Sequence, residues 1–496
     1  MSKQVFYDKA KDIFFENKVV ILFAVICFFA FYHSGMSTVI FFNELFTRFG
    51  RNTFMVLALL IPVVAGLGLN FGIVLGAMAA QIAVFLVVLW GGSGFTGIVA
   101  IVALATPIAI VFGYLVGRMF NSMKGSEMIG GMVTALFADG FYQFFFLFLM
   151  GGIIPIANTR LMTPTGVGVL NAINLGEDPV FMRQVIDNVS MLSILNVAFI
   201  LSVAFTVILL IFKLVKKQPI KLHGQDGMIK PLSLLIPLTI LYILSFVVEP
   251  FLFFLYQDRL NGLVGVRLAA IFMILFYAYQ IVRFKYIKKH AEWPVKPVML
   301  LAVAVLMYLI TLHTGIYSGL ERVGIPVFTY MLIAALCIFI KRFMNTRLGQ
   351  NMRTVGQNRG VATAAGINVD RTRIIAMIMS TVLAAYGQII ILQNFGVMAT
   401  YGAHTQVGLY AIAALLVGGA TVSKASVKHA IMGVLLFHSL FILAPMASAN
   451  LMGSALIGEY FRFFAANAVI ALALIMHAWT RVKRKKKDTD TKSVAA

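Results

Sequence analysis

The 496 residues are 61% hydrophobic and only 12% charged, with a mean hydropathy of +0.94. A soluble chain of this size carries about 25% charged residues, so the composition excludes a soluble fold and places the chain in lipid. The net charge of +22 does not indicate nucleic acid, because the basic residues sit in short loops between apolar runs, and the two cysteines, Cys27 and Cys337, lie inside such runs and do not suggest a disulfide framework.

Apolar runs of spanning length are predicted at 19–42, 53–68, 72–90, 97–117, 128–150, 190–212, 231–256, 264–283, 298–318, 323–341, 374–395, 405–421, 427–446 and 457–480. They lack period-2 alternation, so helices are expected rather than an outer-membrane barrel. The expected fold is an all-α polytopic membrane domain over 1–496 with about 14 crossings, some short or broken. Lys3, Lys9, Lys11 and Lys18 precede the first run and no small-x-small cleavage site follows it, so that helix is read as uncleaved. With the N-terminus in the cytoplasm and sides alternating, the only basic residues left outside are Arg48, Arg51, Arg160, Arg183, Arg259, Arg267, Arg322 and Arg462. This sorting predicts that both termini are cytoplasmic.

Along the chain, Ile61 to Gly76 is interrupted by Gly66, Gly68, Gly72 and Gly76 without a charge, and Asn70 sits at the break. A tight turn between spans and a discontinuous helix lining a translocation path both fit. Asp139 lies inside the fifth run with no obvious intramembrane basic partner. A buried acid of this kind is a functional candidate, although a structural hydrogen-bonding role fits it as well. Other acids, Glu249, Asp258, Glu321 and Glu459, fall near outer ends. Residues 151–189 read as an extracytoplasmic insertion, an ordered cap or short helices, where Glu177, Asp178 and Asp187 are placed to face solvent or an external partner. Residues 190–318 read as extra helices. Intramembrane polar groups are mostly amides: Asn70, Gln81, Gln143, Gln388, Gln393 and Asn394. Such amides either join helices or, with the abundant aromatics, line a path suited to a neutral solute.

The eight histidines are scattered and form neither HExxH nor a Cys/His cluster, so no metal site is expected. No phosphate-loop motif and no nucleophile–base constellation occurs, which argues against an enzyme. The basic tail Arg481–Lys487 reads as a lipid-headgroup anchor, followed by an unstructured end at 488–496.

The longest polar interruption of the second half lies within 341–373. Arg347 to Arg373 carries Arg347, Arg353, Arg359, Arg371 and Arg373, with Arg342 just upstream. Asn358 is placed as an N-cap, Arg359–Ala365 as a short helix and Gly366 as its left-handed stop. A helix of about two turns does not persist alone in water, so it has to dock on something.

Residues 353–396 resemble the permeases of ABC importers for simple sugars and nucleosides, through Val355, Gly356, Asn358, Ala362, Ala365, Gly366, Ile367, Asn368, Val369 and Arg371. Residues 408–426 and 66–80 resemble two further stretches of that family, giving family-like blocks at 50–150 and 320–480. This sequence departs from the pattern at Arg359-Gly360, Asn70-Phe71 and Ser423–Ser426. The resemblance implies that Arg353, Val355, Gly356, Asn358, Arg359, Ala362, Ala365, Gly366, Ile367 and Asn368 couple to a separate ATPase that binds ATP and Mg. The residue readings above, taken with it, place a translocation path near Gly68, Asn70, Phe71, Gly72, Gln81, Asp139, Gln143, Gln388, Gln393 and Asn394. The resemblance further implies an extracytoplasmic substrate-binding protein or lipoprotein, a second permease that is the same chain or another, and the bacterial inner membrane. No cofactor is expected in this chain and no nucleic acid as partner. Two other readings stay open: an ion-coupled secondary transporter using Asp139, and a non-transporting membrane assembly subunit.

Overall fold

The computed structural model describes residues 18–215, 257–284 and 295–475, apart from 124, 157, 159, 160, 177–180, 258, 473 and 474, together with isolated positions between 235 and 243. Lys3, Lys9, Lys11, Arg160, Glu177, Asp178, Glu249, Asp258, most of the 231–256 run, the loops at 216–234 and 285–294, and the basic tail lie outside the described residues.

In lipid every backbone N–H and C=O must be satisfied within its own segment, and the apolar runs fold as helices accordingly. Among the described residues eight are long and apolar enough to cross a membrane, or nine if one bent pair counts as a span, and four shorter apolar helices accompany them. The remaining runs of the expected 14 are the four shorter helices, Val327–Phe343 of the bent pair, and 231–256, which lies mostly outside the described residues, so 14 crossings are not established; two boundaries also differ from the sequence reading. Residues 43–52 were expected to be a loop, yet a single helix runs Thr38–Ala58 straight through Arg48 and Arg51. Arg51 is accommodated there by donating from Nη1 to Asn394 Oδ1 at 3.0 Å and stacking 4.0 Å above the Phe395 ring. The chain breaks instead at Gly35–Ser37, and the run at 298–318 is split at 311–313.

The described residues form two units, Met1–Val185 with Leu332–Ala496, and Ile186–Met331. The first begins with α1 (Lys18–Ser34), α2 (Thr38–Ala58), α3 (Leu60–Val64), α4 (Ile73–Leu89), α5 (Gly94–Ser122) and α6 (Glu127–Phe144), which ends in a π-helical turn at Phe145–Leu149. Its insertion at 151–189 folds as turns around a short strand, β1 (Ala172–Asn174), rather than as helices among the described residues.

The second unit holds α7 (Met191–Val215), β2 (Leu260–Asn261), α8 (Gly262–Val282), α9 (Val295–Ile310), α10 (Thr314–Glu321) and β3 (Gly324–Ile325), with α8 against α9 and β2 antiparallel to β3. Asp187, placed by the sequence at a surface, is 1% exposed and accepts from Thr329 Oγ1 at 2.6 Å.

The chain re-enters the first unit through α11 (Val327–Phe343), then α12 (Arg347–Gln357), α13 (Arg359–Ala364), α14 (Val369–Phe395), β4 (Val397–Ala399), α15 (Ala403–Val417), α16 (Val427–Met452) and α17 (Ala455–Leu472). α14 is the centre, packed on α5, α4 and α2, while α16 covers α1 and α2. Small residues allow this closeness in the absence of a hydrophobic drive between helices. A Cβ added at Gly113 would lie 2.7 Å from the Ile378 Cα, and one at Gly387 would lie 3.0 Å from the Met55 Cα. β1 pairs antiparallel with β4, Ile173 opposite Met398, and so ties the insertion to the turn before α15.

Candidate functional site

The polar stretch after α11 turns by 75° into α12. Thr346 caps α12 by accepting from the Gly349 N–H at 3.3 Å, and Gly349, Met352 and Val355 form its buried face. Asn358 ends α12 and starts α13, its Oδ1 accepting from the Val361 N–H at 3.2 Å. α13 closes through Gly366 at φ 74°, a left-handed turn with open space around its missing Cβ. Ile367 N–H donates back to Ala362 O at 3.0 Å, and Asn368 caps α14 by accepting from Arg371 N–H at 2.9 Å. Two asparagine caps and one glycine thus set off a six-residue helix between two longer ones.

The family-signature residues divide by exposure. Val355 and Ala362 are buried at 1% and 0%, while Arg353, Asn358, Ala365, Gly366, Asn368 and Arg371 are exposed, as are Gly360, Val361 and Ala364 between them, which are not among the matched residues. Gly356 faces inward, where a Cβ would lie well inside van der Waals contact with Val64 O. The polar element therefore rests on the glycine break: Gly66, at φ 71°, lies backbone to backbone against Gly356. The two stretches that the sequence singles out separately, 347–373 and 61–76, are one packed unit.

Arg359 also faces inward. Its Nη2 donates to Glu127 Oε1, the atom that accepts from Arg373 Nη2 at 2.7 Å. Glu127 is 4% exposed and Arg373 fully buried, with a second bond from Arg373 Nη2 to Phe120 O at 3.3 Å. This carboxylate welds the start of α6 to α13 and α14. An acid in the first turn of a helix is routine, so the sequence gives no signal for Glu127, whose partners lie more than 200 residues away.

At the break itself, residues 67–73 are almost completely buried, as irregular backbone at membrane depth must be. Asn70 donates from Nδ2 to Ser380 Oγ at 3.3 Å, and Ser380 Oγ donates to Ala58 O at 2.9 Å. Phe71 is 3% exposed, a Cβ at Gly68 would lie 3.3 Å from Val422, and one at Gly72 would meet Asn70 Oδ1 at 2.9 Å. Further along the bundle Gln81, Asp139 and Gln143 converge on His404. His404 Nε2 lies 2.7 Å from Asp139 Oδ1 and His404 Nδ1 lies 2.6 Å from Gln81 Oε1. Gln143 Nε2 donates to Asp139 Oδ2 at 3.0 Å. Asp139, expected to lack a basic partner, is thus paired with an imidazole that a scattered-histidine pattern does not reveal. Tyr401 donates to Val169 O at 2.7 Å, and burial pushes its phenol above the ordinary value. Gln393 and Asn394 stand at the far end of α14, where Asn394 meets Arg51 and Gln393 Nε2 donates to Ile390 O at 3.3 Å. Gln388 is fully buried, and neither amide atom finds a hydrogen-bond partner among the described residues.

Three sequence comparisons bear on this arrangement. Residues 195–476 match the family described as branched-chain amino acid transport system / permease component. The chain is 31% identical over 121 residues to the probable ABC transporter permease protein YphD of Escherichia coli (strain K12), covering 24% of this chain and 36% of that one. It is 32% identical over 117 residues to the xylose transport system permease protein XylH of Haemophilus influenzae, covering 23% and 30%. It is 34% identical over 90 residues to the nucleoside ABC transporter permease protein NupB of Lactococcus lactis, covering 18% and 24%. The aligned segments thus span about a third or less of these curated relatives. No solved structure matches. The family match covers more than half the chain, its relatives are ABC permeases, and eight or more helices can cross a membrane. The chain belongs to the branched-chain amino acid transport system / permease component family, and is a multi-pass protein of the bacterial inner membrane.

Proposed function

We propose that this chain is the permease subunit of an ABC importer. It forms the path for a small neutral solute, a simple sugar or nucleoside, that an extracytoplasmic binding protein delivers. Separate ATPase subunits holding ATP and Mg drive it, and a second permease, identical or different, completes the assembly. The observation that carries the reading is the contact of Gly356 with Gly66 and Val64. A push on α13 reaches the glycine break through rigid backbone, and the break leads into α4 and the buried amides. The exposed patch Gly360, Val361, Ala364 and Ala365 is the face offered to the ATPase, with Val361 58% exposed. Energy enters as differential ATPase contact in two states, with no chemistry in this chain. The amides and aromatics fit a hydroxyl-rich or heterocyclic solute, as the xylose and nucleoside transport named for two relatives suggests.

The test is Val361→Glu in the full chain, co-expressed with a candidate ABC ATPase subunit that co-purifies with the wild type. The variant is expected to fold, lose ATPase co-purification and lose ATP-driven uptake. Unchanged co-purification and uptake would refute the assigned face. Uptake by the purified chain alone, driven by a proton gradient, would replace the reading with an ion-coupled carrier.

A further inference from the structure

We infer that Asp139 and His404 form a buried proton-binding site that holds one proton between them and, when loaded, clamps α6 to α15 and α4. The inference stands on side-chain geometry within the first unit and does not depend on the transport reading.

Hydrogen-bond complementarity sets the proton count. Gln81 Nε2 donates to the Ala399 carbonyl at 3.2 Å, which turns Gln81 Oε1 toward the His404 Nδ1 2.6 Å away. Flipping the amide would set its oxygen against the Ala399 oxygen, two acceptors in contact. His404 Nδ1 therefore carries a hydrogen and donates it. In a neutral imidazole Nε2 is then a bare lone pair. Asp139 Oδ1 sits 2.7 Å from it, and an ionised carboxylate at that distance would oppose lone pair to lone pair. One further proton resolves the contact, on Nε2 as imidazolium with carboxylate or on Oδ1 as carboxylic acid with neutral imidazole. A second extra proton would have to sit on Asp139 Oδ2, where it would compete with the Gln143 Nε2–H that donates to that oxygen at 3.0 Å. The site thus binds one proton, and the loaded pair is neutral in either form.

The surroundings favour that state. Asp139 lies near the middle of the span Glu127–Leu149, where an unbalanced charge is costly. His404 is fully buried and Asp139 only partly exposed. The groups facing the pair are Gln143 and Tyr142 from α6, Gln81 from α4, Thr405 from α15 and Tyr401 from the preceding turn. Tyr142 and Tyr401 are the titratable ones, and among the described residues Asp139 is the charged group acting on His404. Loaded, the pair joins three helices through three side chains. Unloaded, it becomes a net negative site with a repulsive contact at its centre, and α6 is released from α15.

The experiment uses the full-length chain in lipid nanodiscs with ¹⁵N-labelled histidine. Near neutral pH one of two signals is expected: both ring nitrogens of His404 protonated in the NMR spectrum, or an infrared band of a protonated carboxyl that Asp139→Asn removes. Finding neither, a half-protonated ring beside an ionised carboxylate, overturns the inference. A second arm follows thermal unfolding against pH. A proton held by the folded state is lost as pH rises, so wild-type unfolding temperature should fall toward alkaline pH. Asp139→Asn keeps the contact, its amide donating to Nε2, and should lose that dependence. A profile identical to wild type also overturns the inference. The NMR and infrared readings of the wild type decide alone if the variant does not fold.

Discussion

Gly356 and Gly66 touch backbone to backbone, joining the polar element after α11 to the glycine break. A side chain on Gly356 has nowhere to go, because Val64 O fills the space. Gly356→Ala is expected to destabilise the purified chain by about 1–3 kcal/mol, the usual cost of overpacking, read as a drop in unfolding temperature in detergent. Val361→Ala, on the exposed face a few residues away, should stay within about 0.5 kcal/mol. Equal stability of the two variants would show that the contact is not close-packed.

The Glu127 carboxylate serves two arginines of unequal burial. Glu127→Ala leaves the Arg373 guanidinium buried and unpaired from its acid, a loss of about 3–5 kcal/mol. Arg359 is a third exposed, so Arg359→Ala should cost under about 1 kcal/mol. Chemical denaturation of the two single variants checks the ordering, and a larger cost for Arg359→Ala would reverse the assignment of the principal partner.

Asn358 closes one helix and opens the next. Asn358→Ala removes the side-chain acceptor for Val361 N–H and should cost about 1 kcal/mol, with faster hydrogen exchange confined to 358–366. Asn358→Asp keeps the acceptor and should restore protection; failure to do so would mean that the residue acts through something other than its cap.

Gln388 carries two polar atoms without a partner among the described residues in a fully buried position, which costs the fold about 1–3 kcal/mol. Gln388→Leu should therefore leave thermal stability equal or higher. If the amide is kept for solute, the same variant should weaken uptake affinity about tenfold, the worth of one hydrogen bond. A less stable protein with unchanged uptake would mean that Gln388 is structural.

The local part of this architecture is readable in sequence and the long-range part is not. The Asn358–Gly366 element can be read because its cap, helix and stop lie within nine consecutive residues and obey backbone rules alone. Apolar runs such as 374–395 mark the core of α14 for the same reason. Thr38–Ala58 is misread as a broken segment because Arg51 is tolerated through Asn394, 343 residues away. His404 and Glu127 go unnoticed because a lone histidine and a first-turn acid are each ordinary until their partners, 265 and 246 residues distant, are brought beside them.

That separation has a consequence for how the protein is made. Arg51, Gln81, Glu127 and Asp139 belong to the first part of the chain, and their partners Asn394, His404 and Arg373 to the last. During synthesis the early helices enter the bilayer before these long-range partners exist, and Glu127 waits for more than 200 residues of later chain. α14 and α15 are then the segments that complete the fold rather than extend it. A chain interrupted before α14 would leave the Asp139 carboxylate without His404 and the edge of β1 without β4.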